Sequence, residues 1–158
     1  MVIGGSNPIG TEKRTWTLEK IGSEIKMSAG PELIWSRAWH GCAFDSKRQR
    51  IIVAGGSHID ILNKVEILDI APDRPMQNNE WRPGPQLPFR VDNHQLVYNP
   101  KLDSVLLIGG NNHDAGDLSG AVLKMEEESW TELTSMSLKT PRQRFVVMNV
   151  PRSFTECY

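Results

Sequence analysis

The sequence predicts an all-β chain built from repeated four-stranded antiparallel units. Three observations carry that expectation. An apolar run ending in two glycines occurs three times, as Val2-Ile3-Gly4-Gly5, Ile51-Ile52-Val53-Ala54-Gly55-Gly56 and Val105-Leu106-Leu107-Ile108-Gly109-Gly110. The leading glycines stand 51 and 54 residues apart, a period that marks stacked structural repeats. Two further markers recur at 54 residues: Gly30-Pro31-Glu32-Leu33 returns as Gly84-Pro85-Gln86-Leu87, and His40 returns as His94.

Each unit divides into four short strands. The first is the apolar run before the glycines, apolar at consecutive positions as expected where both faces are covered. A polar loop follows, such as Asn111-Asn112-His113-Asp114-Ala115-Gly116-Asp117. The second strand alternates in part, at Val65–Ile70 and Ala121–Met125, and Thr15-Trp16-Thr17-Leu18 aligns with it. The third starts at Trp81 and at Trp130. The fourth covers His40–Phe44 and His94–Tyr98, and turns at Asp45–Arg48 and Asn99–Asp103 close the units. No stretch has clear helical periodicity.

These residues resemble the Kelch repeat, in which each unit is one blade of a β-propeller. The resemblance spans about residues 1–150, in units of about 1–46, 47–100 and 101–150, with 151–158 as a tail. In that family the Gly pair ends the second strand of a blade, a Trp packs between blades, and an Arg and a His precede the innermost strand. Gly55, Gly56, Trp81, Arg90 and His94 match that order, as do Gly109, Gly110 and Trp130, with Arg144 where the His would stand. The first unit has Gly4, Gly5, Arg37 and His40, with Met27 at the Trp position and Trp16 in its second strand. Propellers have about 4–8 blades. Three units therefore imply an incomplete ring, completed by further blades or by self-association.

Composition limits the functional classes. There are 18 basic and 19 acidic residues, a net charge of −1, which disfavours a protein built mainly to bind nucleic acid. No apolar run approaches the ~18 residues of a membrane-spanning helix. No signal-peptide pattern and no Asn-x-Ser/Thr sequon occur, and two cysteines, Cys42 and Cys157, make no disulfide framework, so a cytoplasmic location is expected. Cys42, on an apolar strand, reads as a buried inert thiol. The histidines His40, His58, His94 and His113 fall at recurring repeat positions and lack metal-ligand spacing, so neither metal nor cofactor is expected. No Gly-x-Ser-x-Gly or other nucleophile motif occurs, and no catalytic residue is assigned.

The remaining chemistry lies in the loops. In an up-and-down sheet, alternate connections emerge at opposite ends. The loops after the Gly pairs and after the Trp strands therefore share one end. That end collects Arg37, His58, Asp60, Arg90, Asp92, Asn111, Asn112, His113, Asp114 and Arg142 as partner-binding candidates. The resemblance implies a protein-interaction module, acting as a scaffold or substrate adaptor. A row of Arg37, Arg90 and Arg142 would suit an acidic peptide. Gly4, Gly5, Gly55, Gly56, Gly109, Gly110, Trp81, Trp130, His40 and His94 are read as structural. The alternative is part of a propeller enzyme acting on a sugar or small molecule.

Overall fold

The computed structural model describes residues 1–149. The expected tail, with Cys157 and Tyr158, lies outside the described residues. Among the described residues the chain is all-β and antiparallel, with one 3-10 turn at Met76–Asn78. It opens with β1 (Val2–Ile3), a two-stranded ribbon of β2 (Ser6–Asn7) and β3 (Gly10–Thr11), and a long hairpin of β4 (Thr15–Ile21) and β5 (Glu24–Ala29). β6 (Gly41–Asp45), β7 (Arg50–Ala54), β8 (Val65–Asp69) and β9 (Trp81–Pro83) follow. Next come β10 (Val91–Asp92), β11 (Gln95–Asn99), β12 (Ser104–Ile108), β13 (Asn111–Asn112), β14 (Asp117–Leu118), β15 (Val122–Met125) and β16 (Trp130–Glu132).

Three main sheets result, in the orders β1-β4-β5, β6-β7-β8-β9 and β11-β12-β15-β16. The sheets straddle the expected unit boundaries. β6 precedes residue 46 yet pairs with β7, and β11 precedes residue 100 yet pairs with β12. The first strand of each four-stranded sheet, β6 or β11, therefore comes from the end of the preceding sequence unit. The segment from Lys13 to Lys26 forms most of the β4–β5 hairpin.

The repeat holds in the hydrogen bonds. Gly5, Gly56 and Gly110 donate their backbone N–H to the carbonyls of Arg37, Val91 and Arg142. Gly4, Gly55 and Gly109 donate to Arg14, Lys64 and Ala121. All six glycines have positive φ, from +55° to +108°. A Cβ on Gly56 would lie 2.5 Å from the Ala38 carbonyl, and one on Gly110 would lie 2.7 Å from the Asp92 carbonyl. Only glycine fits so close a backbone approach in that conformation.

Trp81 and Trp130 lie between sheets. The Trp81 indole N–H donates to the Pro31 carbonyl at 3.0 Å, and that of Trp130 to the Pro85 carbonyl at 2.9 Å. Each thus reaches back to the Gly-Pro-x-Leu segment that follows the preceding sheet. Leu33 packs with Val53, Leu68 and Trp81, and Leu87 with Leu107, Leu123, Met125 and Trp130. Cross-strand register aligns the three units: Leu18 opposes Met27, Leu68 opposes Trp81, and Met125 opposes Trp130. Met27 therefore stands at the Trp position.

Cys42 departs from expectation. β6 alternates, with Gly41, Ala43 and Asp45 buried while Cys42 and Phe44 are exposed. The basic turn Lys47-Arg48-Gln49-Arg50 carries ion pairs. Arg48 bridges Asp45 and Asp103 at 3.1 Å each, and Lys47 reaches Asp103 at 2.5 Å, joining the hairpin turns of two sheets. Hydrogen bonds from Lys47 and Tyr98 hold the Asp103 carboxyl down at about 2.

Candidate functional site

Strand direction gathers the loops of interest. β7 runs into the 55–64 loop, and the 84–94 segment leaves β9 at the same end, because the sheet is antiparallel throughout. Backbone bonds tie the two: Gly56 N–H donates to Val91, and Leu87 N–H donates to Asn63. The ribbon of β10, β13 and β14 links this end to the next unit, pairing Val91 with Asn112 and Asp92 with Asn111.

Arg90 is the centre of a charged cluster drawn from three loops. Its Nε donates to Asp114 Oδ1 at 2.8 Å, and its backbone N–H donates to Asp114 Oδ2 at 2.8 Å. Its Nη1 lies 3.3 Å from Asp60 Oδ2. The Asp114 carboxyl is held below its ordinary range, first by the Arg90 backbone N–H and then by the guanidinium. All three side chains remain solvent-accessible. Beside them, Asn111 Nδ2 donates to Asp92 Oδ1 at 2.8 Å and to Gln143 Oε1 at 2.7 Å. His113 Nε2 lies 3.3 Å from Asp92 Oδ1. Asn112 shapes the loop: its Oδ1 accepts from the backbone of Asp114 and Ala115. A shallow recess of about 300 Å³ lies among Asn111, Asn112, His113, Gly116, Asp117 and Leu118.

His58 sits apart from that cluster. Its Nδ1 meets Thr11 Oγ1 at 2.5 Å and Ser36 Oγ at 3.0 Å, joining the first unit to the second. Arg142 is exposed, and its Nε donates to the Thr140 carbonyl at 3.2 Å.

Arg37 requires a correction. It is fully buried, and its Nη2 donates to Glu66 Oε1 at 2.6 Å. Its Nη1 donates to the carbonyls of Gly55 and Lys64 at 2.8 and 3.0 Å. Glu66, equally buried, also accepts from the backbone of Ile34 at 2.6 Å and Trp35 at 3.3 Å. Arg37 therefore ties the first unit to the second sheet and offers no donor to a partner. The expected arginine row fails as well. Backbone bonding makes Arg37 equivalent to Val91 and Arg142, one residue away from Arg90. Arg90 itself is already paired with two carboxylates. The row of three accessible arginines expected to suit an acidic peptide is therefore not formed among the described residues.

The histidine position also shifts by one. Trp39, Asn93 and Arg144 share φ of +55°, +53° and +55°, so Arg144 occupies the place before the ring. The ring itself is Phe145: a Cβ on Gly4, Gly55 or Gly109 would meet Cε1 of His40, His94 or Phe145 at 3.0, 2.7 or 2.9 Å. Burial is the main cause that lowers His94 to about 3 and His40 to about 4, so both rings are neutral spacers at neutral pH. The four histidines do not converge, and among the described residues no three His, Cys, Asp or Glu side chains gather at one point.

Sequence reasoning missed Glu66 and Gln143. Glu66 carried a signal: it is the one charge inside Val65-Glu66-Ile67-Leu68, and a charge on a strand covered on both faces demands a partner. Gln143 carried none.

No family model matches the chain, and no curated protein matches it. Among solved structures it is similar to that of YjhT, with a TM-score of 0.58 and 13% sequence identity over 84% of this chain. The chain spans 41% of the length of that protein. A likeness at such identity concerns the fold. Among the described residues no helix is long and apolar enough to cross a membrane.

Proposed function

We propose that the chain is a run of Kelch-type propeller blades serving as a protein-interaction module. It grips a protein or peptide through the loop end that carries Arg90. One observation supports this reading most. Asp60, Arg90 and Asp114 come from three separate loops, yet they form one accessible charged cluster held by backbone bonds between units. Polar loops positioned by a rigid β scaffold are well suited to recognition. The partner surface consists of Asp60, Arg90, Asn111, His113 and Asp114, with Asp92 supporting Asn111 and His113. Two accessible aspartates flank a single arginine there, so the partner presents mixed hydrogen-bonding groups rather than a run of carboxylates. An exposed free thiol at Cys42 suits a reducing compartment such as the cytoplasm.

The test is selection of a displayed random peptide library on the intact chain. Selected peptides should lose binding when Asp114→Ala or Arg90→Ala is introduced, and keep it with Lys101→Ala at the opposite end. Equal affinity for all variants, each folded by circular dichroism, would remove this end from consideration.

A further inference from the structure

The first sheet leaves one face uncovered, and the repeat shows what belongs there. Val2, Trp16, Leu18 and Met27 lie on one face by cross-strand register. They are 48, 38, 50 and 56% exposed, a grouping of apolar side chains that marks an interaction surface. Val53, Glu66, Leu68 and Trp81 hold the same register positions in the second sheet, and Leu107, Leu123, Met125 and Trp130 hold them in the third. Both of those sets are buried, and the apolar members of each share a core cluster with a leucine of the preceding unit, Leu33 in one case and Leu87 in the other.

The third unit has such a leucine without a set to cover. Leu33, Leu87 and Leu138 donate their backbone N–H to Lys13, Asn63 and Gly120 respectively, which fixes Leu138 as the equivalent residue. Leu33 and Leu87 are buried, whereas Leu138 is only half-buried and neighbouring Met136 is exposed. One end of the described array therefore lacks a leucine, and the other lacks the face that leucine covers.

We propose that the Val2, Trp16, Leu18 and Met27 face binds the Leu138 end of a second copy of this chain, head to tail. The contact repeats the two internal sheet interfaces. It is heterologous, so it closes only if a small number of copies completes a ring. Met27 in place of tryptophan deprives the contact of one indole and of its hydrogen bond to a carbonyl.

Sedimentation of the chain across the micromolar range should show mass rising with concentration. Leu18→Asp and Leu138→Asp change accessible side chains at opposite ends. Each variant alone should sediment as a monomer with an unchanged circular dichroism spectrum. An equimolar mixture should form a dimer, because each variant retains one intact face. Met27→Trp should shift association to lower concentration. A wild-type chain that stays monomeric, variants that associate like wild type, or a mixture that stays monomeric would overturn the proposal. Loss of peptide binding with association intact would instead count only against the loop-end reading.

Discussion

Replacing Arg37 by valine tests how the first and second units are joined. The Arg37–Glu66 pair is wholly buried, with Nη2 to Oε1 at 2.6 Å. Breaking a buried pair from one side leaves an uncompensated charge and costs about 3–5 kcal/mol. Arg37→Val strands a carboxylate that keeps only the Ile34 and Trp35 N–H donors. Glu66→Leu strands a guanidinium and leaves those two N–H groups unpaired. The double variant recreates the apolar combination already present one repeat later, where Val91 and Leu123 stand at these positions. It removes both charges; the Lys64 carbonyl keeps the Gly55 N–H, so the group left buried and unpaired is the Gly55 carbonyl, at about 1–3 kcal/mol, with smaller costs at the N–H groups of Ile34 and Trp35, which are partly exposed to water. The singles should therefore sum to about 6–10 kcal/mol, while the double costs about 2–5 kcal/mol. Urea unfolding of the four proteins closes the cycle. Additive costs would refute the reasoning, since they would mean that the two groups do not interact.

Trp81→Ala and Trp130→Ala should each destabilise by about 3–5 kcal/mol in the same assay, as expected for aromatic rings between packed sheets. A change near zero for either would contradict that placement. Acid should weaken the fold through the histidines. Their folded values near 3 and 4 lie below the ordinary 6.5, so the unfolded chain takes up protons first. Stability is then full above about pH 6.5 and falls as pH drops towards 4 and 3, each histidine contributing about 1.4 kcal/mol for every tenfold difference in proton affinity between the folded and unfolded chain. His94→Phe, which copies Phe145, should fold and flatten the urea midpoint between pH 7 and pH 4, whereas an unchanged pH profile would exclude His94 as the source.

The sequence is most legible where steric demands are strict. The Gly pairs, the tryptophans and the Gly-Pro-x-Leu segments each satisfy a requirement that few residues can meet. The β9 and β16 strands begin at the expected tryptophans. Expectation and structure part where a one-residue offset decides which way a side chain faces. Arg90 lies 53 residues after Arg37, close enough to look equivalent, but the backbone repeat is 54 and selects Val91. Arg144 looks like the ring position because the αL residue before the ring is Trp39 in one unit and Asn93 in another. Non-glycine residues in that conformation leave no compositional mark. Cys42 sits in an apolar stretch, yet the alternation of β6 exposes it. Strand direction gathers most of the binding candidates at one end, but their pairing with one another depends on side-chain geometry that spacing does not encode.

The most direct test of the binding account is a residue-resolved footprint of a selected peptide by amide chemical-shift mapping. Shifts should concentrate on residues 57–62, 90–93 and 111–117. They should spare the opposite turns at 46–49 and 99–103. A footprint centred on those turns, or on the exposed Cys42 and Phe44 of β6, would contradict the account.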